Sequence, residues 1–269
     1  MLRNLVSPNE GQMKALILAA GYATRLYPLT KRFPKPLLEV EGRPIIDYII
    51  DKLRPMPLID EIIVVTNTKF ISYFKSWAKR LKLGKRLILV DDLTKTIKGS
   101  LGAIGDMNFA INKMQIKDDL LVVGGDNLFD SGLKGFLSFA ARKKNSPVIG
   151  AYDIKSRLQA KKYGVIKLDR FNRIIDFQEK PDKPKSTLAA TCIYYFPKAK
   201  IKLIKEYLAS RENKRDATGF YINWLTKRSV VYGFVFEGSW YDIGDFKFYN
   251  LAKEKFTKVT KKGGLNGSA

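Results

Sequence analysis

Histidine is absent from this chain, and cysteine occurs once, as Cys192. Without histidine, Ser-His-Asp and Cys-His nucleophile systems are excluded, and so is histidine-ligated zinc. A single cysteine excludes an intramolecular disulfide and any cysteine-rich metal site. A metal, if used, must sit on oxygen ligands, which points to Mg²⁺, with Mn²⁺ as a substitute. Long apolar runs are also missing: nothing approaches the roughly 18–20 residues that cross a bilayer. The segment from Met1 to Gln12 is polar and lacks the apolar stretch of a secretory signal, so a cytoplasmic setting without a membrane partner is expected. Acidic residues are scarce beside basic ones, 26 Asp and Glu against 49 Lys and Arg, for a net charge of +23. That excess suits nucleic acid, an anionic membrane or a plain solvated surface. The basic residues are spread along the chain without an RGG or RRM-type aromatic motif. Clusters such as Lys79-Arg80 with Lys82, or Arg142-Lys143-Lys144, read as solvated helix ends. No nucleic-acid partner is expected, and small polyanionic substrates would take up part of the charge.

What is present is apolar material in a regular alternation. The composition is 45% hydrophobic with 16 Phe, 13 Tyr and 3 Trp, enough for a substantial core. Continuous strand-like runs occur at Lys14 to Ala20, Glu61 to Thr66, Arg86 to Val90, Leu120 to Gly124 and Pro147 to Tyr152. Helical stretches separate them: one that Pro44 opens, Phe70 to Leu83, about Ser100 to Asn112, and Gly135 to Lys144. Continuous Val/Ile/Leu strands alternating with helices predict an α/β, Rossmann-like fold: a mostly parallel twisted sheet with helices on both faces. Its ligand is expected beyond the carboxyl ends of the strands. After about residue 153 shorter β segments follow, predicting a smaller β subregion on the substrate side. Helices are expected near 198–209 and 216–228, then a strand at 230–236 and a last helix from Phe246. One catalytic domain is expected over 13–257, with nucleotide binding in about 13–130 and acceptor binding in about 131–257. The ends, 1–12 and 258–269, are expected to be flexible.

The most specific stretch reads Ala19-Ala20-Gly21-Tyr22-Ala23-Thr24-Arg25-Leu26-Tyr27-Pro28-Leu29-Thr30, followed by Pro34-Lys35-Pro36-Leu37-Leu38. A strand ending in small residues exposes successive backbone N–H groups, a concavity suited to phosphate oxygens. Arg25 adds a bidentate fork and Lys35 a compact point charge. As an isolated glycine loop it is weak, being neither GxGxxG nor GxxxxGK[ST]. The whole stretch, however, resembles the signature of the sugar-phosphate nucleotidyltransferases, LAAGxGTRLxPLT…PKPLLxVxGKP. Three further segments recur in that family's order: Gly125-Asp126-Asn127; Tyr163-Gly164-Val165 with Phe177-Gln178-Glu179-Lys180-Pro181; and Trp240-Tyr241-Asp242-Ile243-Gly244. The resemblance spans about residues 13 to 252.

The resemblance implies condensation of a nucleoside triphosphate with a sugar 1-phosphate, giving a nucleotide sugar and pyrophosphate. It implies that Asp126 and Asp242 hold a catalytic Mg²⁺, although read alone each is an ordinary turn or cap residue. By the same resemblance Arg25 stabilises the leaving pyrophosphate and Lys35 lies near the phosphates. Lys180 holds the acceptor phosphate, Glu179 meets sugar hydroxyls, and Tyr163, Gly164 and Thr191 line the acceptor site. The nucleotide would contact Ala19 to Arg25, Ser100, Gly102 and Asp126. A homo-oligomer is compatible with the resemblance.

Three positions depart from the pattern. Ala23 replaces the loop's second glycine, which the loop tolerates if φ is negative there. The base segment, Thr94 to Asp106, keeps Leu101-Gly102 but lacks the amide and threonine of many relatives, leaving the base open, with contacts expected from backbone or Ser100. Cys192 stands where relatives often have glycine, and either narrows the acceptor pocket or packs as a buried core cysteine. Two alternatives stay open: a cytidylyltransferase acting on phosphocholine or an inositol phosphate, and a non-catalytic nucleotide-sugar sensor.

Overall fold

A computed structural model describes residues 12–263. The expectation of loose ends falls on 1–11 and 264–269, outside the described residues, while 258–263 continue the last helix.

The apolar runs form the centre of the sheet. In chain order the first half comprises β1 (Met13–Leu18), the short pair β2 (Glu39–Val40) and β3 (Arg43–Pro44), α1 (Ile45–Leu53), β4 (Ile59–Thr66), α2 (Ile71–Ala78), β5 (Arg86–Asp91), α3 (Gly102–Met114), β6 (Asp119–Gly124) and β7 (Asn127–Phe129). The second half comprises α4 (Lys134–Arg142), β8 (Val148–Asp153), α5 (Arg157–Ala160), β9 (Gly164–Leu168), β10 (Ile174–Glu179), β11 (Leu188–Phe196), α6 (Lys198–Ala209), α7 (Thr218–Thr226), β12 (Tyr232–Phe236), β13 (Trp240–Asp242) and α8 (Phe246–Gly263).

β1 lies between β4 and β6, parallel to both, and β5 extends the sheet parallel to β4. Side chains alternate between two layers because strand periodicity is two. Ala15, Ile17, Ile62 and Val64 join a core with α1, α2 and α4, whereas Leu16, Ile63 and Val65 join one with α3, α6 and α7. Burial on both faces is why these strands carry no polar alternation, and each fully buried Ile or Leu contributes about 1.5–3 kcal/mol.

One expectation needs correction, and one pairing goes beyond what the apolar runs predict. The run at 147–152 does not pair with β6. Antiparallel β11 inserts between them, pairing with β6 through Ile193–Phe196 and with β8 on its other side. Hydropathy alone does not reveal this long-range pairing, because β11 is as apolar as its neighbours. The helix expected over 70–83 ends at Ala78, since the N–H groups of Arg80 and Leu81 bond three residues back, to Trp77 and Ala78, in tight turns. β9 and β10 form the expected smaller subregion at the sheet's edge.

Candidate active site

The chain runs outward from β1 through β4 to β5, then returns through α3 to β6 on the other side of β1. The carboxyl ends of β1 and β6 therefore flank the point where strand order reverses, where a sheet of this kind leaves an open crevice. A cavity of about 550 Å³ opens there. Of the residues singled out in the sequence, all but Ala19 and Lys35 line it.

The loop after β1 forms one wall and is pinned from behind. Ala19 donates its N–H to Val65 (2.8 Å), and the Asn67 amide donates to the Ala20 carbonyl (2.8 Å). Ala19 is thus a buried anchor rather than a lining residue. The expectation of negative φ at Ala23 is overturned: φ is +47°. The Ala23 carbonyl accepts bonds from the Thr30 hydroxyl (2.7 Å) and the Leu26 N–H (3.0 Å), which hold the left-handed turn against a strain of about 1–2 kcal/mol. Lys180 (φ +46°) and Cys192 (φ +54°) on the opposite wall are also left-handed. Such strain persists only where the surrounding structure holds it.

Antiparallel pairing of β7 with β13 places Asp242 opposite Asn127 and hence beside Asp126. The Ile243 N–H donates to the Asp126 carbonyl (3.3 Å). Trp240 fixes the same ribbon by donating its indole N–H to Asn127 (2.6 Å). The Lys35 ammonium donates to the Asp126 carboxylate, so Lys35 reaches the site through this ion pair rather than by lining the cavity. Burial and the neighbouring Asp126 push the Asp242 carboxyl up to about 6, opposed by Lys35 and Arg25. Such a pair of oxygen donors gains from a divalent cation, which relieves both the burial and the mutual repulsion. Among the described residues no third Asp, Glu, Cys or His joins them, so a cation held here would complete its shell from phosphate oxygens and water.

The far end of the cavity belongs to β9, β10, β11 and the start of α7. Glu179 lies where a side chain on Gly219 would collide with its carboxylate, and a side chain on Gly164 would come within 2.7 Å of Phe177 and 3.1 Å of Glu179. Burial raises the Glu179 carboxyl above its ordinary value, with Lys180 opposing. The Lys180 N–H bonds to the Tyr163 carbonyl (3.0 Å), closing the turn that carries both residues. A register shift in β11 between Ala190 and Tyr194 turns Thr191 and Cys192 out of the regular ladder, and both line the cavity. Cys192 is therefore a wall residue, and burial beside Asp126 pushes its thiol up to about 12.

Sequence reasoning missed Asp106, Asp216 and the Tyr194–Thr218 hydroxyl pair (2.7 Å), all of which line the same cavity. Asp106 had a legible signal, a carboxylate within the buried stripe of α3 that includes Ile104, Met107 and Ala110. Asp216 and Thr218 had none, because long-range folding of the segment after α6 brings them in.

Comparison with known proteins adds a second line. The sequence model of the nucleotidyl transferase family matches residues 14–259. The chain is 32% identical over 235 residues to the bifunctional protein GlmU of Methanocaldococcus jannaschii, covering 86% of this chain and 51% of that protein. It is 33% identical over 232 residues to a bifunctional sugar-1-phosphate nucleotidylyltransferase/acetyltransferase of Sulfurisphaera tokodaii, covering 86% and 52%. The chain thus spans about half the length of these two relatives. Among solved structures, a Bacillus anthracis protein assigned as a glucose-1-phosphate thymidylyltransferase superposes with a TM-score of 0.73 at 23% identity, over 90% of this chain and 94% of that one. That likeness speaks for the fold.

Proposed function

The chain belongs to the nucleotidyl transferase family, and on that premise we propose that its cavity joins a nucleoside triphosphate to a sugar 1-phosphate and releases pyrophosphate. The observation that carries the reading is the Asp126–Asp242 pair with Arg25 and Lys35 acting on it, at the mouth of a loop that offers backbone N–H groups. Two polyanions must meet here, and Arg25 and Lys35 act on the half-buried Asp126–Asp242 pair.

In the proposed reaction an oxygen of the acceptor phosphate attacks the α-phosphorus. The bond from the α-phosphorus to the bridging oxygen breaks, and its electron pair leaves with pyrophosphate. No general base is required, because the attacking oxygen is already anionic, in keeping with a chain that lacks histidine. Arg25, close enough to act on Asp242, would meet charge growing on the leaving group. Lys35 holds Asp126 in position, and Lys180 holds the acceptor phosphate. Asp126 and Asp242 would hold Mg²⁺, which supplies charge neutralisation across the reacting phosphates.

The acceptor end favours a polyol. The Glu179 carboxyl and the Tyr194 and Thr218 hydroxyls, which bond each other at 2.7 Å, line the end of the cavity where sugar hydroxyls would lie. The test is pyrophosphate release with Mg²⁺ over a grid of five triphosphates and the 1-phosphates of glucose, galactose, mannose and N-acetylglucosamine, with phosphocholine and inositol 1-phosphate alongside. Release that requires a sugar phosphate supports the reading. Release only with phosphocholine, or none with any acceptor while nucleotide binds, overturns it.

A further inference from the structure

Three separate segments build one end of the cavity: the loop after β1, the loop after β5 and the start of α3. They meet at a buried chain of hydrogen bonds. Asp92, which follows β5 and is 3% exposed, accepts the Thr94 N–H on one oxygen (2.7 Å) and the Thr94 hydroxyl on the other (3.1 Å). The Tyr22 hydroxyl lies 3.3 Å from that of Thr94, and because the Thr94 hydrogen goes to Asp92, Tyr22 is the donor there. Asp106, on α3 and 5% exposed, closes the chain from the other side by giving its carboxyl hydrogen to Asp92. Each hydrogen in the chain is thus directed toward the Asp92 carboxylate.

Asp106 holds this place only while protonated. Its Oδ1 atom is buried without a hydrogen-bond partner, and burial and then Asp92 push its carboxyl up to about 8. The surroundings supply no replacement for the proton. Asp91 is engaged by the Thr68 hydroxyl and the Leu93 N–H, and Asp216 brings a further carboxylate to the start of α3 beside Gly102. Lys69 faces the network across the Tyr22 ring (5.7 Å). On the remaining sides β1, β4, α6 and α7 pack an apolar layer against α3, in which their titratable members are Tyr207 and Tyr221. Loss of the proton would set two carboxylates against each other in a buried space, which costs free energy unless the segments move apart.

We infer that Asp106 is a positioning residue for the nucleotide: its hydrogen bond to Asp92 holds the start of α3 against the loops after β1 and β5 in the spacing that triphosphate binding requires. This rests on the reading of the cavity as a nucleoside triphosphate site. The start of α3 has a second tie on its other side, where the Ile104 N–H donates to the Arg215 carbonyl (3.3 Å). Gly102, at φ +73°, permits that approach, since a side chain there would come within 2.6 Å of the same carbonyl. Of these two ties, the one through Asp106 depends on a proton. Affinity for the nucleotide is therefore full well below pH 8 and is lost as pH rises through it. At pH 9 about one chain in ten keeps the proton, which weakens apparent binding about 10-fold.

Equilibrium binding of GTP, ATP, CTP, UTP and dTTP to the intact chain, each with Mg²⁺ and without acceptor, identifies the tightest binder, whose dissociation constant is then followed from pH 7 to pH 9. The constant at pH 9 should exceed that at pH 7 by about 10-fold in the parent. In Asp106→Asn the amide donates to Asp92 without titrating, and in Asp92→Asn the opposing charge is gone, so in each the ratio should fall to about 1. A flat parental profile, or a rise that persists in the variants, overturns the inference while leaving the nucleotide site standing. Absence of binding by every triphosphate overturns the underlying reading, and the inference with it. A flat parental profile is decisive even where a variant folds poorly.

Discussion

Replacing Asp106 by Asn should change how stability depends on pH. Burial beside Asp92 holds the Asp106 carboxyl at about 8, against an ordinary 3.8. The folded state therefore keeps a proton that the unfolded chain releases near pH 4. Stability from this group is fully present below about pH 4 and is lost as pH rises toward about 8. Each tenfold gain in proton affinity on folding is worth about 1.4 kcal/mol, so the loss is at most ~6 kcal/mol, with a slope of at most ~1.4 kcal/mol for each step of one in pH. An Asn amide can donate to Asp92 much as the protonated acid does, and it does not titrate. At pH 5 the variant should already lead by about 1–2 kcal/mol, while at pH 8.5 it should be more stable by several kcal/mol, on the order of 3–6. Urea unfolding without nucleotide, at intervals from pH 5 to 8.5, measures this directly. Parallel stability curves for parent and variant across that range would refute the reasoning.

Ala23→Gly should leave stability unchanged or raise it by about 0.5–1 kcal/mol, because glycine relieves the left-handed strain while adding freedom to the unfolded chain. A loss above about 1 kcal/mol in urea unfolding would contradict the φ of Ala23. Gly219→Ala should displace Glu179 and raise the KM for the sugar phosphate roughly 10-fold or more, with nucleotide binding unchanged. Equal damage to both substrates would argue against Glu179 as an acceptor-side group. Cys192→Gly should open the wall beside Gly124, where the thiol now lies 3.2 Å from the position a side chain would take. Steady-state kinetics should then show a gain of about 10-fold for N-acetylglucosamine 1-phosphate relative to glucose 1-phosphate, and no change in that ratio would place the thiol outside the acceptor path.

The strands and the loop after β1 were legible because their signals are local. Continuous apolar runs mark strands buried on both faces, and small residues after Leu18 mark a turn that exposes its backbone. The carboxylates Asp126 and Asp242 were legible only through resemblance, since the β7–β13 pairing that joins them spans more than a hundred residues. The insertion of β11 between β6 and β8 was not legible, because pairing order among equally apolar strands leaves no periodic trace. Nor was the sign of φ at Ala23, which depends on the Thr30 hydroxyl reaching back to hold the turn. Asp106 illustrates the converse: its residue type at that position on α3 conflicts with a buried helix face, and such conflicts mark candidate sites.

Phosphorus NMR of the products tests the central proposal most directly, using the parent chain with Mg²⁺, a triphosphate and a sugar 1-phosphate drawn from the pair that binds best. A diphosphate diester and inorganic pyrophosphate should appear in equal amounts. Asp126→Asn and Asp242→Asn should slow both together by roughly 100-fold or more. Orthophosphate in place of pyrophosphate, or a diester formed at parental rate by both variants, would contradict the proposal.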